Sequence, residues 1–107
     1  MKKVLFICSA NKLRSPTAEQ VFSTWPNVET DSAGLHSSAT VVVSTEQLDW
    51  ADIIFVMEKS HRNKLSKKYR TFLKDKRVIC LHIPDDYDLM DPVLVRLLET
   101  KVSPFLR

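Results

Sequence analysis

Residues Cys8 to Ser15 read Cys-Ser-Ala-Asn-Lys-Leu-Arg-Ser and follow directly on the apolar run Val4-Leu5-Phe6-Ile7. A cysteine and an arginine six positions apart, where a buried strand should end, are suited to holding a phosphoryl group. A loop of this length can curl once, so that the amides of Ser9, Ala10, Asn11, Lys12 and Leu13 converge on one point that the N-terminus of the following helix also faces. The thiol of Cys8 would lie at that point, and Arg14 would close the ring with a forked guanidinium that matches two phosphoryl oxygens.

Such surroundings favour the thiolate, which attacks without a general base. In-line attack on a phosphate monoester would give a cysteinyl-phosphate, with the loop amides and Arg14 stabilising charge on the equatorial oxygens. Ser15 is placed to donate its hydroxyl to the sulfur and improve it as a leaving group in the second step. Asn11 occupies the middle of the loop, where a left-handed residue is needed and asparagine is tolerated. A Cys-x5-Arg pair alone is weak evidence, and its bland alternative is a buried structural cysteine beside a surface arginine. Its place between a buried strand and a helix opened by Ser15-Pro16 is what gives it weight.

The elements that must position this loop alternate between short apolar strands and amphipathic helices, the pattern of βαβ units around a parallel sheet. Val4–Ile7 is the first strand, apolar throughout as a strand buried on both faces should be. A helix opens at Ser15-Pro16, with the Ser15 hydroxyl as a candidate cap, carries Ala18, Val21, Phe22 and Trp25, and stops at Pro26. A strand over 28–33 ends at Gly34, the only glycine. Ser44-Thr45-Glu46-Gln47 reads as a capping box for a helix bearing Leu48 and Trp50. A strand is expected over 53–57, then a basic helix, or two short ones, over 60–73 with Leu65, Tyr69, Phe72 and Leu73 inward. A fourth strand follows over 78–81, an acidic loop over 84–90, and a last helix capped by Asp91-Pro92 along Val93, Leu94, Leu97, Leu98 and Val102. Four parallel strands in the order 2-1-3-4, with helices on both faces, put the Cys8 loop at the switch point where such sheets bind ligands.

At 107 residues the chain is expected to form one domain over 1–107. Two cysteines, Cys8 and Cys80, and a first apolar run far shorter than a membrane span point to free thiols in a soluble, cytoplasmic protein. His36, His61 and His82 show no metal-ligand spacing, so neither a metal nor another cofactor is expected. Net charge is +3, yet Lys59 to Arg77 holds nine of the sixteen basic residues and one acid, Asp75. A solvated helix face explains that stripe better than nucleic-acid binding, because no aromatic interleaving accompanies it.

Together these residues resemble the low-molecular-weight protein tyrosine phosphatase family, whose signature is Cys-x-x-Gly-Asn-x-x-Arg-Ser-Pro at the end of the first strand. Cys8, Asn11, Arg14, Ser15 and Pro16 match, and the resemblance continues through Ala18-Glu19, Asp31-Ser32-Ala33-Gly34 and Asp52 to Met57. Ala10 departs from the family's glycine, and Leu13 stands where many members have a second cysteine. The resemblance implies a general acid in the acidic loop, and Ile83-Pro84-Asp85-Asp86-Tyr87 aligns Asp85 with it although Asp86 replaces the family's proline. Asp86, Asp88 and Asp91 are rivals, with Asp91 reading first as a helix cap. Tyr87 would either flank an aromatic substrate or pack in its loop. Cys80, two strands from Cys8, reads as a buried strand residue out of disulfide reach, which argues against the related arsenate-reductase chemistry. The segment Leu35 to Val43 is shorter than its family counterpart, implying an open cleft mouth.

Three functions compete. The leading one is hydrolysis of phosphate monoesters, with a phosphorylated protein, above all phosphotyrosine, or a small aryl phosphate as substrate and inorganic phosphate as product. A non-catalytic phospho-ligand or nucleic-acid binding module would keep the cradle and use the basic stripe. A phosphocarrier like the cellobiose-type IIB subunits is disfavoured by Arg14-Ser15.

Overall fold

The computed structural model describes residues 1–107. Strands β1 (Lys2–Cys8), β2 (Val28–Gly34), β3 (Ile53–Val56) and β4 (Arg77–Cys80) form one parallel sheet in the order β2-β1-β3-β4. Helices α1 (Arg14–Phe22), α2 (Thr45–Trp50), α3 (Lys59–Tyr69) and α4 (Pro92–Leu106) connect and flank it, and a 3-10 turn over Arg70–Leu73 continues α3. The sheet order and the helices on both faces are as the sequence pattern requires.

Successive residues of a strand point to opposite faces, and β1 divides its side chains accordingly. Val4, Phe6 and Cys8 join α1 and α4 in one core, with Ala18, Phe22, Leu94, Leu98 and Val102. Leu5 and Ile7 join α2 and α3 in the other, with Leu48 and Leu65. Phe6 lies between Phe22 and Phe55, at ring-centroid distances of 5.8 and 5.4 Å, and truncating it to alanine should cost ~3–5 kcal/mol.

Several local expectations need correction. Helix α1 starts at Arg14 with Leu13 as its N-cap and no side-chain cap, because the Ser15 hydroxyl is engaged by Cys8 and Asn11. The third and fourth strands each end one residue early, although the Leu81 and Ile83 N–H groups still donate to Val56 and Met57. Phe72 is exposed where α3 has given way to the 3-10 turn, and Val93 is exposed in the first turn of α4. Trp25 and Trp50 are half-buried and pack at the rims of the two cores. The capping box at Ser44 and Gln47 is formed, as is the Asp91 cap, whose Oδ1 accepts from the Val93 N–H at 2.9 Å. No helix is long and apolar enough to cross a membrane.

Candidate active site

The loop between β1 and α1 lies at the C-terminal edge of the sheet, and its conformation follows from a few side chains. Asn11 adopts φ 54° and is the loop's one left-handed residue. Its buried side chain donates to Ser15 Oγ at 2.9 Å and Ser32 Oγ at 3.0 Å and accepts from the Val41 N–H at 3.2 Å. Ala10 keeps a negative φ, so the loop does not need a glycine at that position.

The carbonyls of Cys8, Ser9 and Ala10 accept from the N–H groups of Leu35, His36 and Thr40 at 3.0–3.1 Å. With its carbonyls turned to that segment, the loop leaves the N–H groups of Ser9, Ala10, Lys12, Leu13 and Arg14 without an acceptor in the chain. Unpaired amides at a helix N-terminus make an anion site. Gly34 permits this packing through close approach rather than through a special φ. A Cβ there would lie 2.5 Å from the Ser9 carbonyl oxygen and 2.6 Å from Ala39 Cβ.

Cys8 Sγ sits 2.9 Å from Ser15 Oγ and accepts from the Asn11 N–H at 3.3 Å. Because Asn11 Nδ2 already donates to Ser15 Oγ, the serine proton is free to point at the sulfur, a nearer partner than the Ala33 carbonyl at 3.4 Å. Arg14 is buried to 3% exposure. Its Nη1 donates to Glu58 Oε2 at 2.6 Å and to the Ile83 carbonyl at 2.8 Å, while its Nε lies 3.7 Å from Asp85 Oδ1.

Cys8, Ser9, Ala10, Lys12, Leu13, Arg14 and Asp85 line one cavity of about 230 Å³. The structure thus brings Asp85 to the thiol and the arginine, two residues beyond the point where Ile83 is held by Met57 and Arg14. Asn11 and Ser15 lie beneath the loop and hold it rather than line the cavity. Of the rival acids, Asp91 caps α4, and Asp86 and Asp88 are exposed without side-chain partners. Tyr87 packs against the core on the α1 and α4 side. Cys80 is half-buried rather than buried, because β4 is an edge strand, and it packs on the opposite face of the sheet from Cys8.

Two residues at this site escape sequence reading. Glu58 follows β3, the neighbour of β1, with only Met57 between them, and anchors Arg14. The hydrogen bond from Arg14 is the main reason its carboxyl is held below the usual carboxylate value. His61 lies one helical turn on and is buried, and its Nδ1 accepts from the Glu58 N–H at 3.2 Å. Burial, then the charge of Arg14, keeps its pKa below the ordinary histidine value. A neutral ring accepting at Nδ1 carries its proton on Nε2, which lies 2.9 Å from Ser9 Oγ. Ser9 therefore accepts from His61, and its own hydroxyl proton is left for the cavity. The available signal was topological: a carboxylate just past the strand beside β1 must end near the Cys8 loop.

No protein-family model matches the sequence, and no curated protein matches it either. Solved structures do, and the fold they share with this chain is that of the low-molecular-weight protein tyrosine phosphatases. The YwlE arginine phosphatase from Geobacillus stearothermophilus is 22% identical with a TM-score of 0.76, covering 98% of this chain and 90% of its own. The tyrosine phosphatase Wzb from Escherichia coli K30, in complex with phosphate, is 21% identical with a TM-score of 0.79, covering 97% and 95%. SP-PTP, a low-molecular-weight protein tyrosine phosphatase from Streptococcus pyogenes, is 17% identical with a TM-score of 0.78, covering 100% and 95%.

Proposed function

We propose that this protein is a cysteine-dependent phosphatase that hydrolyses phosphate monoesters, with protein phosphotyrosine as its principal substrate class. The observation that carries the reading is the sulfur of Cys8 in a cavity that it shares with Arg14, Asp85 and a loop of unpaired amides. The likeness in fold to phosphatases supports it.

In the first step the Cys8 thiolate attacks phosphorus in line with the ester oxygen. The S–P bond forms, the P–O bond breaks, and Asp85 in its neutral form gives the departing oxygen a proton. The amides of Ser9, Ala10, Lys12 and Leu13 and the guanidinium of Arg14 hold the equatorial oxygens, whose negative charge they match in the transition state. In the second step Asp85, now a carboxylate, takes a proton from water as it attacks phosphorus. The S–P bond breaks, inorganic phosphate leaves, and Ser15 donates to the thiolate that reappears. Glu58 and the Ile83 carbonyl fix Arg14, and His61 fixes the direction of the Ser9 hydroxyl.

The reduced protein should turn over an aryl phosphate between pH 5 and 7, and vanadate should inhibit it. Rapid quench and mass spectrometry should trap phosphate on Cys8. Absence of turnover by reduced protein would refute the reading, and phosphate binding without turnover would indicate a binding module instead. Parallel assays on phosphotyrosine and phosphoarginine peptides decide which phosphoresidue is preferred.

A further inference from the structure

A second concavity, of about 380 Å³, opens between the segment 35–43 and α3. Leu35, Val42, Val43 and Tyr69 supply apolar walls, and Lys64, Lys67 and Lys68 contribute three ammonium groups. The ion pairs of the chain are confined to Arg14 with Glu58 and Asp85, so none of these lysines has an acidic partner. Lys68 rests against the ring of Tyr69, 5.5 Å from its centroid. Val42 is 45% exposed. Three unpaired cations over an apolar floor complement a ligand that is both acidic and apolar.

The groove lies beside the phosphate loop and shares no lining residue with its cavity. Leu35 donates to the Cys8 carbonyl, and His61, which bonds Ser9, lies one turn before Lys64 on the same helix. From His61 the helix rises ~4.5 Å to Lys64 and ~10 Å to Lys68. An extended polypeptide advances ~3.3 Å per residue, so a side chain two or three residues from a phosphoresidue held at Cys8 comes level with the lysines.

We propose that this groove binds the flank of a phosphoprotein substrate, taking an acidic side chain two or three residues from the phosphorylated residue, with an apolar neighbour on Leu35, Val42 and Tyr69. The proposal rests on the phosphatase reading and gives the basic stripe of α3 a part in substrate choice.

The test compares p-nitrophenyl phosphate with two phosphotyrosine peptide designs, each with the flank placed on either side. One carries Glu-Leu at the second and third positions from the phosphotyrosine, and the other Ser-Ser. The acidic peptide should show a kcat/KM about tenfold higher, through KM, a gain of the size that a few exposed ion pairs supply. Lys64→Glu, Lys67→Glu and Lys68→Glu combined should abolish that gain and leave p-nitrophenyl phosphate turnover unchanged. Val42→Glu, on the facing wall, should reduce the gain independently. Equal kcat/KM for both peptides, or a preference that survives the charge reversal, overturns the proposal. Should the protein turn over none of these substrates, the phosphatase reading fails, and NMR shifts decide the groove separately. The unphosphorylated Glu-Leu peptide should then shift Leu35, Val42 and Tyr69, and silence at those residues, or tighter binding of an RNA oligonucleotide there, rejects it.

Discussion

Arg14 Nη1 and Glu58 Oε2 lie 2.6 Å apart, joining the end of the phosphate loop to a residue just past the neighbouring strand. The arginine is 3% exposed and the carboxylate 41%, so the pair is asymmetric: one charge needs its partner and the other also has water. Glu58→Gln should therefore lower stability by ~1–2 kcal/mol, less than the ~3–5 kcal/mol of a fully buried broken pair. It should also lower kcat/KM ~10-fold or more, because a loosened guanidinium no longer meets both phosphoryl oxygens. Denaturant melts and aryl phosphate kinetics measure the two effects. The folded carboxyl titrates below its unfolded value, so the pair's contribution is complete above the unfolded pKa and is lost as pH falls through the lower folded one. Arg14 accordingly keeps its partner throughout pH 5 to 7.

Cys8→Ser should reduce turnover to background while leaving the amide cradle able to bind phosphate. Competition with a fluorescent phosphate analogue would show retained affinity. Residual turnover in that variant would move the nucleophile elsewhere.

Asp85→Asn should slow kcat ~100-fold or more for a poor leaving group such as phenol, the usual scale of general acid catalysis. The loss should shrink for p-nitrophenol, which departs without help. A uniform effect across leaving groups would mean that Asp85 acts through its contact with Arg14 instead.

His61 should stay neutral to a pH below the ordinary histidine value of ~6.5. The unfolded chain takes up that proton first, so the folded state loses stability as pH falls below the unfolded pKa and continues to lose it down to the folded one. His61→Gln should flatten this part of the stability profile, and the ring's carbon-bound protons give the titration directly by NMR.

Gly34→Ala should cost ~1–3 kcal/mol as overpacking and impair turnover more than stability. The added Cβ meets the Ser9 carbonyl oxygen at 2.5 Å and the Asn11 N at 3.1 Å, both in the phosphate loop. Kinetics and a thermal melt on the same preparation separate the two losses.

Much of this was legible in the chain because local chemistry and global fold agree. The apolar run before Cys8 is a strand buried on both faces, and its period-2 division feeds the two cores. Asn11, expected to be left-handed, has φ 54°. Asp85 was aligned by resemblance, and the cavity containing both it and Cys8 gives that placement a geometry. The missed parts are those that pairing in space decides. Glu58 and His61 look like surface residues of a basic helix until β3 is laid beside β1. Ser15 was offered two uses, a cap and a donor to sulfur, and only the three-dimensional position of Cys8 selects between them.

The contacts of Arg14 reach 44 residues along the chain to Glu58 and 69 to Ile83. Such distant pairings must await synthesis of the later strands. A nascent chain that has reached α2 already carries the thiol, the loop and the arginine, yet it lacks both anchors of the guanidinium and the acid at Asp85. On the phosphatase reading, competence to act on phosphate is therefore gained only once β3 and β4 have added to the sheet and Glu58, Ile83 and Asp85 have reached Arg14.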